Sequence, residues 1–118
     1  LARAAGAAGM VGGQVIDLES EDKRLTPEEL RRLHAMKTGA LIRGAVRLGA
    51  ILGGASPAQL DALTAYGEHI GLAFQIADDI LDVTGDEALI GKRVGSDEAN
   101  GKSTYPALLG LAESTRLA

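Results

Sequence analysis

Gly71-Leu72-Ala73-Phe74-Gln75-Ile76-Ala77-Asp78-Asp79-Ile80-Leu81-Asp82 is the stretch whose reading decides the fold. Taken as a helix, it sets Gln75, Asp78, Asp79 and Asp82 at i, i+3, i+4 and i+7, which is one face. Every other position is apolar or small. A helix apolar nearly all round is expected to be buried. Three carboxylates on such a helix repel one another and resist desolvation, so something positive should neutralise them. No Lys or Arg occurs between Arg47 and Lys92. The neutralising charge must come from a bound cation or from distant segments.

Upstream, Ser56-Pro57-Ala58-Gln59 is a capping box with proline at the first helical position, so the acidic helix spans roughly residues 57–83. The stripe then lies near the C-terminal end, where the helix already carries partial negative charge. That placement strengthens the expectation of a cation. Gly85 ends the helix. A polar, glycine-rich loop follows over 85–101, and Thr104-Tyr105-Pro106 starts a last helix bearing Leu108, Leu109, Leu111 and Ala112.

Further upstream, Thr26-Pro27-Glu28-Glu29 opens a helix to about Lys37. Thr38-Gly39 should loosen or kink it, because the hydroxyl competes for backbone carbonyls and glycine adds freedom. A continuation over 40–52 points Leu41, Ile42, Val46, Leu48 and Ile51 inward. A first helix covers roughly 2–20 despite Gly6, Gly9, Gly12 and Gly13, each costing about 1 kcal/mol against alanine. The spacing of Gly9/Gly13, Gly49/Gly53 and Gly67/Gly71 predicts close helix–helix contact. No alternating β-branched run appears, so the fold class expected is all-α, with five helical segments in one domain or part-domain.

Composition narrows the function. The chain has 118 residues, no cysteine and a formal net charge of −4. Disulfides and thiolate metal sites are excluded, and nucleic-acid binding is disfavoured by the absence of a basic run. No apolar run is long enough to span a bilayer, and no signal peptide stands at the start, so a cytoplasmic location is expected. Leu1 opens inside a helical pattern and 114–118 carry no stop signal, which leads us to expect part of a longer chain.

Asp78 and Asp82, one turn apart, can share an oxygen-loving cation, with Asp79 alongside. Hard Mg²⁺ is held by one or two carboxylates and completes its shell with water and phosphate oxygens. No histidine or cysteine shares that face, which argues against zinc. The plain alternative is a solvated acidic face, which the apolar surroundings disfavour. Lys37, Lys92 and Lys102 each stand beside glycine or hydroxyl residues at predicted breaks, where freed N–H groups and a point charge suit phosphate. Gly101-Lys102-Ser103 is not a P-loop: Ser96 stands where that motif needs glycine, and no strand precedes it. Gln14 and Asp17, at i and i+3, either join this polar cluster or are a buried amide and a surface charge. His34 and His69 read as surface or satisfied core histidines.

Five motifs in one order and spacing carry a resemblance. They are Gly12-Gly13-Gln14-x-x-Asp17, His34-x-x-Lys37-Thr38-Gly39-Ala40-Leu41, Gly71-x-x-Phe74-Gln75-x-x-Asp78-Asp79-x-x-Asp82, Gly91-Lys92-Arg93 and Gly101-Lys102-Ser103-Thr104-Tyr105-Pro106. Together the chain resembles the C-terminal part of bacterial short-chain trans-polyprenyl diphosphate synthases of the farnesyl or geranyl type. The resemblance implies an isoprenoid synthase helical bundle in which two aspartate-rich motifs face each other across a cavity and bind Mg²⁺. Asp78-Asp79-x-x-Asp82 matches the second motif, and the first lies outside this chain. The implied reaction joins isopentenyl diphosphate head-to-tail to an allylic diphosphate, in a protein expected to be a homodimer, with this part inactive alone.

The resemblance also implies roles. Asp78 would be a direct metal ligand, Asp82 a ligand directly or through water, and Asp79 an indirect one. Lys37, Lys92 and Lys102 would bind allylic diphosphate, with Gln75 in support. Thr38 and the carbonyl of Lys37, freed at the kink, would stabilise the allylic cation. A non-catalytic helical subunit related to such enzymes is the alternative. A terpene cyclase is a third reading, disfavoured because those enzymes usually carry an Asn/Ser/Glu-type second metal site.

Overall fold

The computed structural model describes residues 1–85 and 95–118. Those residues form an all-α arrangement, and no strand occurs among them. The helices are α1 (Ala2–Ala5), α2 (Met10–Glu19), α3 (Pro27–His34), α4 (Ala40–Leu52), α5 (Pro57–Thr84), α6 (Ser96–Ala99), α7 (Tyr105–Leu109) and α8 (Leu111–Leu117). A single π-helical turn, Ala35–Gly39, joins α3 to α4 without a break in the chain's course.

Both capping boxes form as expected. Thr26 accepts from the Glu29 N–H while the Glu29 carboxylate accepts from the Thr26 N–H. Ser56 and Gln59 repeat the pattern at the head of α5. The expected kink at Thr38-Gly39 is a π turn, a feature that accommodates one extra residue in the helix and recurs at functional sites.

Three expectations need correction. The first helix is not continuous: it ends at Ala5 and restarts at Met10, with Gly9 in a conformation (φ −144°, ψ −126°) that opens the backbone. The glycine freedom that made a helix costly there is used for a turn. The last helix is divided by Gly110, whose φ of +84° suits glycine. Leu48 and Ile51, expected inward on α4, are exposed.

α4 and α5 pack antiparallel across the loop 53–56. Arg47 donates to Thr64, Arg43 to Glu68 and Thr38 to Gln75, so partner numbers fall along one helix as they rise along the other. Glycines set the distance. A Cβ on Gly67 would lie 3.0 Å from the Arg43 Cα, and one on Gly71 would lie 3.0 Å from the Gly39 Cα. Gly13 of α2 presses against the backbone of Lys37 in the π turn. Gly49, by contrast, faces open space, so the Gly49/Gly53 pair makes no such contact.

The core is Leu30, Ile76 and Tyr105, with Leu25, Leu72, Ile80 and Leu108 around it. It ties α3, α5 and α7 together beneath the π turn. Along α5, however, Leu63, Tyr66, Ile70, Phe74 and Leu81 form one exposed apolar stripe. Among the described residues, the helix that reads as buried all round is covered on one side only.

Candidate functional site

The puzzle of the acidic stripe is resolved in part by backbone. Asp79 and Asp82 are both only 2% exposed. The Tyr105 N–H, at the first residue of α7, donates to Asp79 Oδ2 at 2.9 Å, and Gln75 Nε2 donates to Oδ1 at 3.1 Å. Asp82 stands at the N-terminus of α6: Ser96 Oγ donates to Oδ1 at 3.0 Å and the Asp97 N–H to Oδ2 at 3.1 Å. Each carboxylate therefore meets the N–H groups and partial positive charge of a short helix that follows in sequence.

Burial still dominates at Asp79. It pushes the carboxyl up to about 6, against the hydrogen bonds from Tyr105 and Gln75, and the nearby Asp97 and Asp78 charges add to the rise.

Asp78 is placed differently. It is half-buried and lines a cavity of about 310 Å³ together with Asp17, His34, Lys37, Thr38, Phe74, Gln75, Asp97 and Lys102. Lys37 comes from the π turn and Lys102 from the segment before α7. Both reach Asp17 Oδ2 of α2, at 2.6 and 3.3 Å. Burial raises the Asp17 carboxyl, but the hydrogen bond and charge of Lys37 and then of Lys102 outweigh it and hold the group below its usual value. Asp17 thus fixes two ammonium groups at one point on the cavity wall.

Lys102 is positioned by stitching between two loops. The Ser103 hydroxyl donates to the Lys23 carbonyl at 3.1 Å and accepts from the Leu25 N–H at 3.0 Å. The Asp22 N–H donates to the Gly101 carbonyl at 3.2 Å, where Gly101 has φ +62°. In the same lining Thr38 Oγ1 donates to Gln75 Oε1 at 3.0 Å, so the π turn, Gln75 and Asp79 form one chain of hydrogen bonds.

Of the residues singled out from sequence, Asp17, Lys37, Thr38, Gln75, Asp78, Asp79 and Lys102 meet at this cavity. Asp82 does not; it lines a neighbouring recess that shares Lys102, Ser103 and Thr104. Gln14 is exposed and away from it. Lys92, with Arg93, lies outside the described residues.

His34 is the residue the sequence reading undervalued. It is 6% exposed, lines the cavity, and its Nδ1 has no hydrogen-bond partner among the described residues. It is buried but not satisfied. Burial, helped by the Lys37 charge, pushes the imidazole down to about 4. Its place in the motif with Lys37 and Thr38 was the available signal.

Among the described residues no three His, Cys, Asp or Glu side chains gather as metal ligands. The donor set fits a hard cation held through Asp78 and completed by water and phosphate oxygens, not an all-protein cage. Among the described residues no helix is long and apolar enough to cross a membrane.

Comparison with known proteins agrees with this geometry. The polyprenyl synthetase family profile matches residues 4–117. The chain is 56% identical over 119 residues to farnesyl diphosphate synthase of Escherichia coli, covering all of this chain and 40% of that protein. It is 54% identical over 112 residues to farnesyl diphosphate synthase of Geobacillus stearothermophilus, covering 95% of this chain and 38% of that protein. A solved structure described as geranyltransferase from Helicobacter pylori complexed with magnesium and isoprenyl diphosphate superposes with a TM-score of 0.85 at 36% identity, over 97% of this chain and 37% of that one. The chain thus spans about two-fifths of the length of these relatives and shares their all-α isoprenoid synthase fold. A profile match across nearly every residue, with a common fold beneath it, means that this chain belongs to the polyprenyl synthetase family.

Proposed function

We propose that this chain is the C-terminal part of a Mg²⁺-dependent trans-prenyltransferase of the farnesyl or geranyl diphosphate synthase type. The observation that carries the reading is the convergence of Lys37 and Lys102 on Asp17, in a cavity that Asp78 also lines. Two ammonium groups held at one point suit an anion of high charge density such as a diphosphate. Lys92, which lies outside the described residues, is the third member of this proposed basic set.

Each residue has a distinct task. Lys37 and Lys102 bind the allylic diphosphate and exchange part of their attraction to Asp17 for its oxygens. Asp17 keeps them in place when the anion is absent. Gln75 supports the site by holding Thr38 to Asp79. Asp78 takes the metal directly, and Asp79 acts through Gln75 and Tyr105. Asp82 reaches a metal only by giving up its bonds to Ser96 and Asp97. Mg²⁺, when bound, supplies positive charge to the diphosphate oxygens.

In the reaction the allylic C–O bond breaks and diphosphate leaves with the electron pair. The double bond of isopentenyl diphosphate then attacks the allylic carbon, and the new cation passes a proton to the diphosphate that the cleavage released. Thr38 and the carbonyls of the π turn face the developing positive charge, a pre-set electrostatic stabilisation. Phe74, 60% exposed and beside Asp78 on the rim, would exclude water once the rest of the cavity is built around it. A homodimeric assembly of the full-length protein and a cytoplasmic location, both expected from the resemblance, complete the proposal.

The non-catalytic reading gains one observation. Asp79 and Asp82 have structural uses in capping α7 and α6, so their presence alone does not demand chemistry. A chimera decides between the two. In it, the stretch of Escherichia coli farnesyl diphosphate synthase that aligns with this chain is replaced by the chain itself. Given isopentenyl diphosphate, an allylic diphosphate and Mg²⁺, the chimera should form prenyl diphosphate. A folded chimera that forms none would sink the catalytic reading.

A further inference from the structure

His34 has a role that the basic residues do not supply. The ring is buried at the junction of the two lysine-bearing segments. It ends α3, immediately before the π turn that carries Lys37, and it leans on Tyr105 with ring centroids 5.6 Å apart and a 44° tilt. Tyr105 follows Lys102 by three positions, and its N–H holds Asp79. The ring also forms part of the cavity wall.

The unpartnered nitrogen restricts the tautomer. Nδ1 is sealed from solvent and has no hydrogen-bond partner among the described residues. A buried N–H without an acceptor is costlier and rarer than a buried acceptor without a donor. The proton of the neutral ring therefore belongs on Nε2. The neighbouring Lys37 charge disfavours a second proton on the same ring. The result is an uncharged donor beside the ammonium groups and carboxylates of the wall, whose other neutral polar side chains, Thr38, Gln75, Ser103 and Thr104, are engaged with one another or with backbone.

We propose that His34, as the Nε2–H tautomer, donates a hydrogen bond from the cavity wall to an oxygen of the bound diphosphate. This rests on the prenyl-transfer reading of the same cavity. A neutral donor suits this position for a physical reason. An imidazolium would compete with Lys37 and Lys102 for Asp17, whereas a neutral N–H adds direction without charge. Lysine, a point charge on a flexible stem, holds an anion without orienting it. A ring packed against Tyr105 sets which oxygen is presented toward Asp78.

The test uses the same chimera, with variants His34→Gln, His34→Asn and His34→Phe. Glutamine can place an amide N–H near the Nε2 position, while asparagine reaches only the Nδ1 position. His34→Phe and His34→Asn should raise KM for the allylic diphosphate about tenfold, the loss expected for one hydrogen bond to a charged group. Turnover at saturation should change less than about twofold, and His34→Gln should recover most of the lost affinity. In parallel, long-range ¹H–¹⁵N correlation on the histidine-labelled chimera, with the His34 signal identified by its loss in His34→Gln, reads the tautomer directly. Saturation with inorganic pyrophosphate and Mg²⁺ should shift Nε2–H and leave Nδ1 unprotonated. An Nδ1–H tautomer, a ring signal unmoved by pyrophosphate, or equal KM in all variants overturns the proposal. These results are separable from failure of the function. A folded chimera that makes no product refutes prenyl transfer, while the pyrophosphate response of the ring still decides whether His34 is a donor to the anion.

Discussion

The two sides of α5 reverse the ordinary relation between polarity and burial. On one side Asp79 and Asp82 are 2% exposed; on the other Phe74 is 60% and Tyr66 56% exposed. The difference teaches that burial along this helix follows the partners available, not residue type. The acidic side is met by backbone donors, the Tyr105 N–H at the head of α7 and the Asp97 N–H at the head of α6. The apolar side is left exposed among the described residues. Asp78 lies between the two sides, on the rim where the cavity opens.

The contrast can first be broken at the adjacent aspartates. Asp78→Ala in the chimera is expected to lower turnover by at least about 100-fold, equivalent to losing roughly 3 kcal/mol of transition-state stabilisation at a metal-supported diphosphate. The unfolding free energy should change by less than about 1 kcal/mol. Asp79→Ala should do the reverse in stability, costing about 1–3 kcal/mol because the Gln75 amide and the Tyr105 N–H lose their acceptor in a buried place. Paired urea denaturation and steady-state assays check both. If the two substitutions behave alike, the division between a cavity-facing and a structural aspartate is wrong.

The second way to sharpen it is pH. Asp79 has a folded value raised from 3.8 to about 6, so its contribution is fully present below about pH 4 and is lost as pH rises through 6. His34 has a folded value lowered from 6.5 to about 4, so its contribution is present above pH 6.5 and is lost as pH falls through 4. Between pH 4 and 6 the two slopes oppose one another. Each is on the order of 2–3 kcal/mol across the window, from 1.36 kcal/mol per pKa unit. The unsubstituted chain should therefore show little pH dependence from this pair. His34→Gln should leave stability that declines as pH rises from 4 to 6, and Asp79→Asn stability that increases. Denaturation midpoints at three pH values suffice, and parallel profiles for the two variants would contradict the assignment.

How much of this was legible in the sequence depended on how local the determining interaction is. The capping boxes at Thr26 and Ser56 involve partners three residues apart, and both formed as read. The break at Thr38-Gly39 was also readable from residue type, and Asp78 stood out as a charge on an apolar helix, whereas Lys37 and Lys102 were weak signals one by one and came together only through the resemblance. The partners of Asp79 and Asp82 were not. Tyr105 and Asp97 donate across 26 and 15 positions through backbone N–H groups, which every residue but proline possesses and no spacing reveals. Gln14 misled for a related reason. Asp17 and Gly13, one turn apart, define the buried face of α2, and Gln14 falls outside it. His34 was legible only as a motif position, since its unpartnered Nδ1 is a property of packing.

The smallest expected effect tests the apolar side. Leu63, Tyr66, Ile70, Phe74 and Leu81 recur at intervals of three, four and seven residues, so they form a stripe one helix face wide. A face with that period is a packing face, yet all five are exposed here. Ile70→Lys in this chain alone should change the unfolding free energy by less than about 0.5 kcal/mol, as at an ordinary surface site. In the chimera the same substitution should cost more than about 1 kcal/mol, because the relative's additional length supplies apolar surface to cover the stripe. Urea denaturation of the two proteins measures the difference. Equal small costs would mean that the stripe stays in water in both, and that the reversal along α5 belongs to the helix itself. Unequal costs would locate the reversal in the cover that the relative's additional length supplies, and would place Phe74 inside a closed cavity beside Asp78.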